Sequence, residues 1–228
     1  MFKKDEISFI YILNHRYKIK MEIIVFGDSI TYGAWDKEGG WVARLRRFID
    51  EKYPEQHITY NLGISGDTSK DVLERVELEA KRRIFEKSPL IIFQIGINDS
   101  AILSSKRNEE WISIKEFERN IKRLIFEARK ITDNNKIFFV GHVFVDEKKT
   151  HPVPFDKNVT YTNDNVRKYN ETVKEICDKE KIGFIDVLPD FKKQDLGHLL
   201  QDGVHPTTSG HEIIFRTVRD FLVKNKII

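Results

Sequence analysis

Five short stretches of the chain carry residue types that could do chemistry. They are "GDS" at Gly27-Asp28-Ser29, "GISGDTS" from Gly63 to Ser69, "GIND" from Gly96 to Asp99, the pair Gly141-His142, and "DGVHP" from Asp202 to Pro206. A serine hydroxyl is a weak nucleophile until a base takes its proton. A histidine near neutrality suits that task, and a carboxylate on its other ring nitrogen fixes the tautomer. Attack on a carbonyl creates a negative oxygen, which needs preorganised donors. A glycine N–H and an asparagine amide can supply them, and glycine lets the backbone come close to a substrate. Ser29, a glycine-rich turn, Asn98, and an aspartate three residues before a histidine are therefore the parts of acyl transfer.

Each stretch also has a plainer account. "GDS" is ordinary turn chemistry. "SGDTS" starts a helix with Asp67, Thr68 or Ser69 as N-cap, which is compatible with a second role for Gly66. "GIND" is a turn with an Asx bond. "DGVHP" leads into a helix with Pro206 near its first position. Their coincidence, in this order, is what the plain accounts explain poorly. The remaining histidines, His15, His57, His142, His151, His198 and His211, are expected at the surface or in structural places. His142 is the least settled of these, and with Asp28, Trp111 and Phe155 it is kept as a candidate for substrate binding. Trp35, Trp41 and Tyr161 complete the aromatic residues that could line an acyl or sugar pocket, although a core or rim place is expected for any single one. Trp41 opens a helix after "EGG" and is expected to be structural.

These residues need elements to hold them. Short apolar runs at 22–26, 58–62, 90–95, 136–140 and 182–187 read as strands, most of them continuous enough to be covered on both faces. Helical periodicity marks 40–53, 69–86, 115–131, 163–180 and 207–224. The alternation predicts a parallel sheet between two helical layers, with right-handed crossovers. In such a sheet, ligands bind beyond the carboxyl ends of the strands. The five stretches follow the five strands in turn. Two segments, 99–114 and 141–162, are longer than simple connections, and long loops in compact domains are often functional.

The 228 residues fit one domain with a full core. A net charge of +3, from 39 basic and 36 acidic residues that are interspersed, implies no nucleic-acid or membrane surface. The single cysteine, Cys177, allows no internal disulfide and falls on an apolar helical stripe, so a buried core thiol is expected. Residues 1–20 hold a short apolar run, "ISFIYIL", too short to span a membrane and without a small-residue cleavage site. They are expected to be a dispensable extension to a single domain at 21–228, and a cytoplasmic location is expected.

Taken together, "FGDSITYG", "NLGISGDTS", "GIND" and "DGVHP" resemble the four sequence blocks of the SGNH hydrolases, also called the GDSL esterase/lipase family. The resemblance runs from about Met21 to the end of the chain. It implies Ser29 as nucleophile, His205 as base and Asp202 as its orienting acid. It implies the Ser29 N–H, Gly66 and Asn98 as oxyanion donors. The implied fold is a flavodoxin-like three-layer α/β/α sandwich, a five-stranded parallel sheet in the order 2-1-3-4-5. Neither a metal nor an organic cofactor is implied. "GDSIT" is not the Gly-x-Ser-x-Gly elbow of α/β-hydrolases.

The expected activity is a serine esterase for small soluble carboxylic esters, working through an acyl-enzyme, with acetyl groups on sugars the leading natural target. A thioesterase or lysophospholipase of the same family is an alternative. So is an inactive binding domain that keeps the motifs as turns. A flavin or nucleotide binder would need a phosphate cradle where "GDS" places an acid. The expected partner is a small-molecule ester, with no nucleic acid and no membrane insertion; a homo-oligomer is compatible with the sequence.

Overall fold

The computed structural model describes residues 19–85, 88–106, 108–191 and 196–228. All but the last two residues of the 1–20 extension, His15 among them, lie outside the described residues. The strands β1 (Met21–Gly27), β2 (His57–Gly63), β3 (Leu90–Gln94), β6 (Ile137–Val140) and β8 (Gly183–Ile185) form one sheet in the order β2-β1-β3-β6-β8. Every pairing in it is parallel. In sequence order this is the expected 2-1-3-4-5.

The apolar runs explain the layers. Side chains alternate along a strand, so a continuous run must be covered twice. Ile23, Val25 and Ile92 pack on Trp41, Leu45, Ile214 and Val218, which belong to α2 (Gly40–Lys52) and α8 (Thr208–Lys224). Ile24, Phe26, Ile91 and Phe93 face the other way. They meet Val72 and Val76 of α3 (Ser69–Lys81), Phe117 and Ile121 of α4 (Ile114–Arg129), and Val173 and Ile176 of α5 (Asn163–Glu180). Each such side chain contributes about 1.5–3 kcal/mol on full burial. Cys177 lies in this second layer, buried and free. Trp41 is fully buried and donates from its indole nitrogen to Gln94 Oε1 at 2.7 Å, a structural place as expected.

Several details differ from the sequence reading. The helix expected over 69–86 ends at Lys81; Glu86 lies outside the described residues. The last strand is three residues long rather than six. The two long connections are not plain loops. Residues Ile102–Leu103 (β4) pair antiparallel with Glu109–Glu110 (β5) and Val159–Thr160 (β7) in a second, three-stranded sheet. Three one-turn helices also appear: α1 (Ser29–Tyr32), α6 (Leu188–Phe191) and α7 (Leu196–Leu199). No described helix is long and apolar enough to cross a membrane.

Candidate active site

Strand β1 stops because the chain must turn at Gly27. A Cβ there would lie 2.1 Å from Thr31 Oγ1 and 2.4 Å from the Gln94 carbonyl oxygen, so only glycine fits. Asp28 then caps the single turn α1, its Oδ1 accepting from the Ile30 N–H at 2.9 Å. Ser29 is the first residue of that turn, and its N–H has no acceptor within the helix.

The Ser29 hydroxyl lies 2.8 Å from His205 Nε2. On the other side of the ring, Nδ1 is 2.7 Å from Asp202 Oδ2. With the proton on Nδ1, that nitrogen donates to Asp202, and Nε2 accepts from the Ser29 hydroxyl. Asp202 and His205 form one local unit, since Asp202 Oδ1 also accepts from the N–H groups of Val204 and His205, at 3.0 and 2.9 Å. Burial alone would raise the Asp202 carboxyl; the hydrogen bonds from His205 and Val204 outweigh it and hold the group below its ordinary value. The helix that follows is anchored by a buried pair, Asp36 with Arg44. Thr208 Oγ1 donates to Asp36 at 2.8 Å, so the chain just after His205 is tied to α2.

Beside this chain of bonds is a cavity of about 430 Å³, which Ser29 and His205 share with Gly66 and Asn98. Gly66 has φ +88° in a turn closed by the Asp67 N–H on the Ile64 carbonyl, a conformation that favours glycine. Asn98 follows β3 and turns its amide nitrogen to the Asp67 carbonyl at 2.9 Å. Trp35, Trp111, Phe155 and Tyr161 form aromatic walls. The Trp35 and Phe155 rings flank the His205 ring, with centroids 6.2 and 5.8 Å away. A larger hollow of about 650 Å³, lined in part by Lys81, Arg129 and Thr132, lies near the amino ends of β3 and β6, away from these residues. The smaller cavity holds the hydrogen-bonded Ser29–His205 pair and is the candidate site. No cluster of metal-ligating residues exists among the described residues.

Ser29, Gly66, Asn98, Asp202, His205, Trp111 and Phe155 are thus brought together. Asp28 and His142 do not line the cavity. The Asp28 carboxyl is buried beneath α1, where desolvation pushes it up to about 7. His142 is buried beside Gly96, its N–H bonded to Asn170 Oδ1 at 3.0 Å, and burial pushes its ring down to about 4. The sequence kept both as candidates for substrate binding; the structure buries both away from the residues that line the cavity. The sequence reading also missed the supports. Asp99 is fully buried and accepts from the Ser69 N–H at 2.9 Å and from its hydroxyl; Asn120 donates to that same hydroxyl at 3.0 Å. This network ties the Asn98 turn to the helix that begins after Gly66. Its only sequence signal was a polar residue at each of two strand ends.

These features define a class, a three-layer α/β/α hydrolase with its polar constellation at the carboxyl edge of the sheet. Residues 25–213 match the family model described as GDSL-like Lipase/Acylhydrolase family. The chain belongs to that family and is a hydrolase acting on ester bonds. It is similar to the GDSL esterase/lipase CPRD49 of Arabidopsis thaliana, 26% identical over 197 residues, which cover 85% of this chain and 75% of the relative. Among solved structures it is similar to a lipase/acylhydrolase from Enterococcus faecalis, at a TM-score of 0.68 and 22% identity, covering 89% of this chain and 95% of the other. A variant of Axe2, an acetyl xylan esterase from Geobacillus stearothermophilus, gives a TM-score of 0.66 at 23% identity, covering 90% and 95%. At these identities the structural likeness speaks for the fold.

Proposed function

We propose that the chain is a serine esterase for small soluble carboxylic esters, with acetyl groups on sugars the leading natural target. Ser29 Oγ attacks the ester carbonyl while His205 Nε2 takes its proton. The oxyanion is met by the Ser29 and Gly66 N–H groups and by the Asn98 amide. Collapse breaks the carbonyl–alkoxy bond, and the alcohol leaves with the proton from His205. Water, deprotonated by the same nitrogen, then releases the acid from Ser29. Asp202 keeps the Nδ1 tautomer and stabilises the imidazolium.

The observation that carries this reading is the Asp202–His205–Ser29 chain of two short bonds, opening on a cavity that also holds Gly66 and Asn98. Substrate size is argued from the walls. Each methylene of an acyl chain gains about 0.8 kcal/mol only if a pocket buries it. The segments that supply Trp111, Phe155 and Tyr161 also carry Lys106, Glu109, Glu110, Asp146, Glu147, Lys148 and Lys149. They present no sustained apolar stripe of the kind an interfacial lid needs. The exposed rings of Trp35 and Phe155 suit the face of a sugar outside the acyl pocket. A solved acetyl xylan esterase shares this fold, so the fold itself accommodates that substrate class.

The test is kcat/KM for p-nitrophenyl esters from acetate to palmitate. A maximum within the first few carbons is expected. A maximum at about eight carbons or more, where buried methylenes still add binding, or activation at an oil–water interface, would overturn the small-ester reading.

A further inference from the structure

We propose that Tyr161 is a positioning residue that fixes which way the Asn98 amide faces, so that one amide hydrogen is held towards the reacting carbonyl oxygen. This rests on the reading of Asn98 as an oxyanion donor. A carboxamide has an acceptor end and a donor end that are nearly the same shape, and only its partners decide between them. Asn98 has one partner of each kind. Its Oδ1 accepts from the Tyr161 hydroxyl at 2.9 Å, and its Nδ2 donates to the Asp67 carbonyl at 2.9 Å. The reverse orientation would set two carbonyl oxygens face to face and leave Oδ1 without a donor. Nδ2 keeps a second hydrogen with no partner among the described residues, and Asn98 lines the cavity beside Ser29.

The hydroxyl also acts through the amide bond. Donation to Oδ1 draws charge from the nitrogen, and linked hydrogen bonds strengthen one another by about 10–30%. Tyr161 can do this only if it is itself fixed. Its N–H donates to the Thr150 carbonyl at 3.2 Å, and the buried Thr150 hydroxyl donates back to the Tyr161 carbonyl at 2.8 Å. The residue before it, Thr160, pairs with Ile102 in the small antiparallel sheet. That strand begins four residues after Asn98. The small sheet thereby brings Tyr161 to an asparagine 63 positions away. Burial, with nearby carboxylates adding, raises the phenol above its ordinary value, so the hydroxyl keeps its proton and remains a donor.

A tyrosine that only packed would be replaced by phenylalanine without kinetic effect. The experiment is a double-mutant cycle of Tyr161→Phe and Asn98→Ala, with kcat and KM measured separately on p-nitrophenyl acetate. Rates are referred to Ser29 sites titrated with a fluorophosphonate probe, so that any unfolded fraction drops out. Tyr161→Phe is expected to lower kcat about tenfold, the size of one net hydrogen bond, with KM changed less than about twofold. In the Asn98→Ala background, loss of the hydroxyl is expected to change nothing. A wild-type kcat in Tyr161→Phe beside an impaired Asn98→Ala would overturn the positioning role and leave Asn98 as donor. Equal losses in both backgrounds would also overturn it, because Tyr161 would then act independently of Asn98. A wild-type kcat in Asn98→Ala would remove the oxyanion reading and the proposal with it.

Discussion

On one side of the cavity, Ser29, His205 and Asp202 are joined by bonds of 2.8 and 2.7 Å, and the His205 and Asp202 side chains remain 12% and 15% exposed. On the other side, Asn98 is held by the Asp67 carbonyl and by Tyr161, which is 4% exposed, and the adjacent Asp99 is bonded to Ser69, both fully buried. In the proposed mechanism the first side exchanges protons with substrate and water, so it needs a titratable ring that water can reach. In that mechanism the second side changes no protonation state. Its worth lies in being in place before charge develops, which requires rigidity rather than access. The contrast predicts that substitutions on the first side abolish turnover, whereas those on the second weaken it.

The largest effects should come from Ser29→Ala and His205→Ala, each lowering kcat by about 10⁶ if the group acts as nucleophile or base. Folding should survive, because neither side chain fills the core. Asp202→Asn should cost less, about 10⁴, since the residue orients the ring and does not itself exchange the proton. Steady-state kcat on p-nitrophenyl acetate checks all three. An Asp202→Asn loss equal to or larger than that of His205→Ala would mean the two roles are misassigned.

On the donor side, Asn98→Ala should lower kcat by about 10²–10³ with little change in KM, the cost of one oxyanion donor. A change confined to KM would make Asn98 a ground-state binding residue and erase the distinction between the two sides. Gly66 is a poorer probe, because any side chain at φ +88° strains the turn even though the space beside it is open.

The two sides also differ in how far they can be read from sequence. The Asp202–His205 pair is separated by three positions and closes its own turn, so local spacing is enough to find it. The large sheet is equally legible. Strands such as β1 and β3 are buried on both faces and read as unbroken apolar runs. The donor side depends on pairings that no local pattern encodes. Strands β4, β5 and β7 have two residues each, too few to show a period. The Tyr161–Asn98 bond spans 63 positions and the Asp99–Ser69 bond spans 30. His142 is unsettled in the sequence for a related reason. A histidine at the carboxyl edge of a strand can face the cavity or the layer beneath, and here the Asn170 bond and the neighbouring Gly96 leave it buried in the layer.

Asp28 belongs to both sides, because it precedes Ser29 and shares its surroundings with Asp67 and Asp99. Its Oδ1 caps α1, while Oδ2 is buried without a partner among the described residues. Burial, with those neighbouring acids adding, lifts the carboxyl from an ordinary 3.8 to about 7. Between these values the unfolded chain has released its proton while the folded chain still holds it. The unfolded state then binds fewer protons, so this group makes the fold less stable as pH rises through the window. Asp28→Asn keeps an oxygen to cap Ile30 and cannot ionise. The melting temperature of the mutant minus that of the wild type should therefore grow as pH rises from about 4 to about 7, and then level off. For a chain of this size each kcal/mol is worth roughly 2–4 °C, the smallest signal of the set. His142 and His211, which burial holds down to about 4, act in the opposite sense, losing stability as pH falls from 6.5 towards 4. Both are present in wild type and mutant, so their contribution cancels in the difference. A difference that stays flat from pH 4 to 8 would show that Asp28 titrates in the fold as it does in an open chain. The acid before the nucleophile would then be a solvated cap, set apart from the rigid side of the cavity.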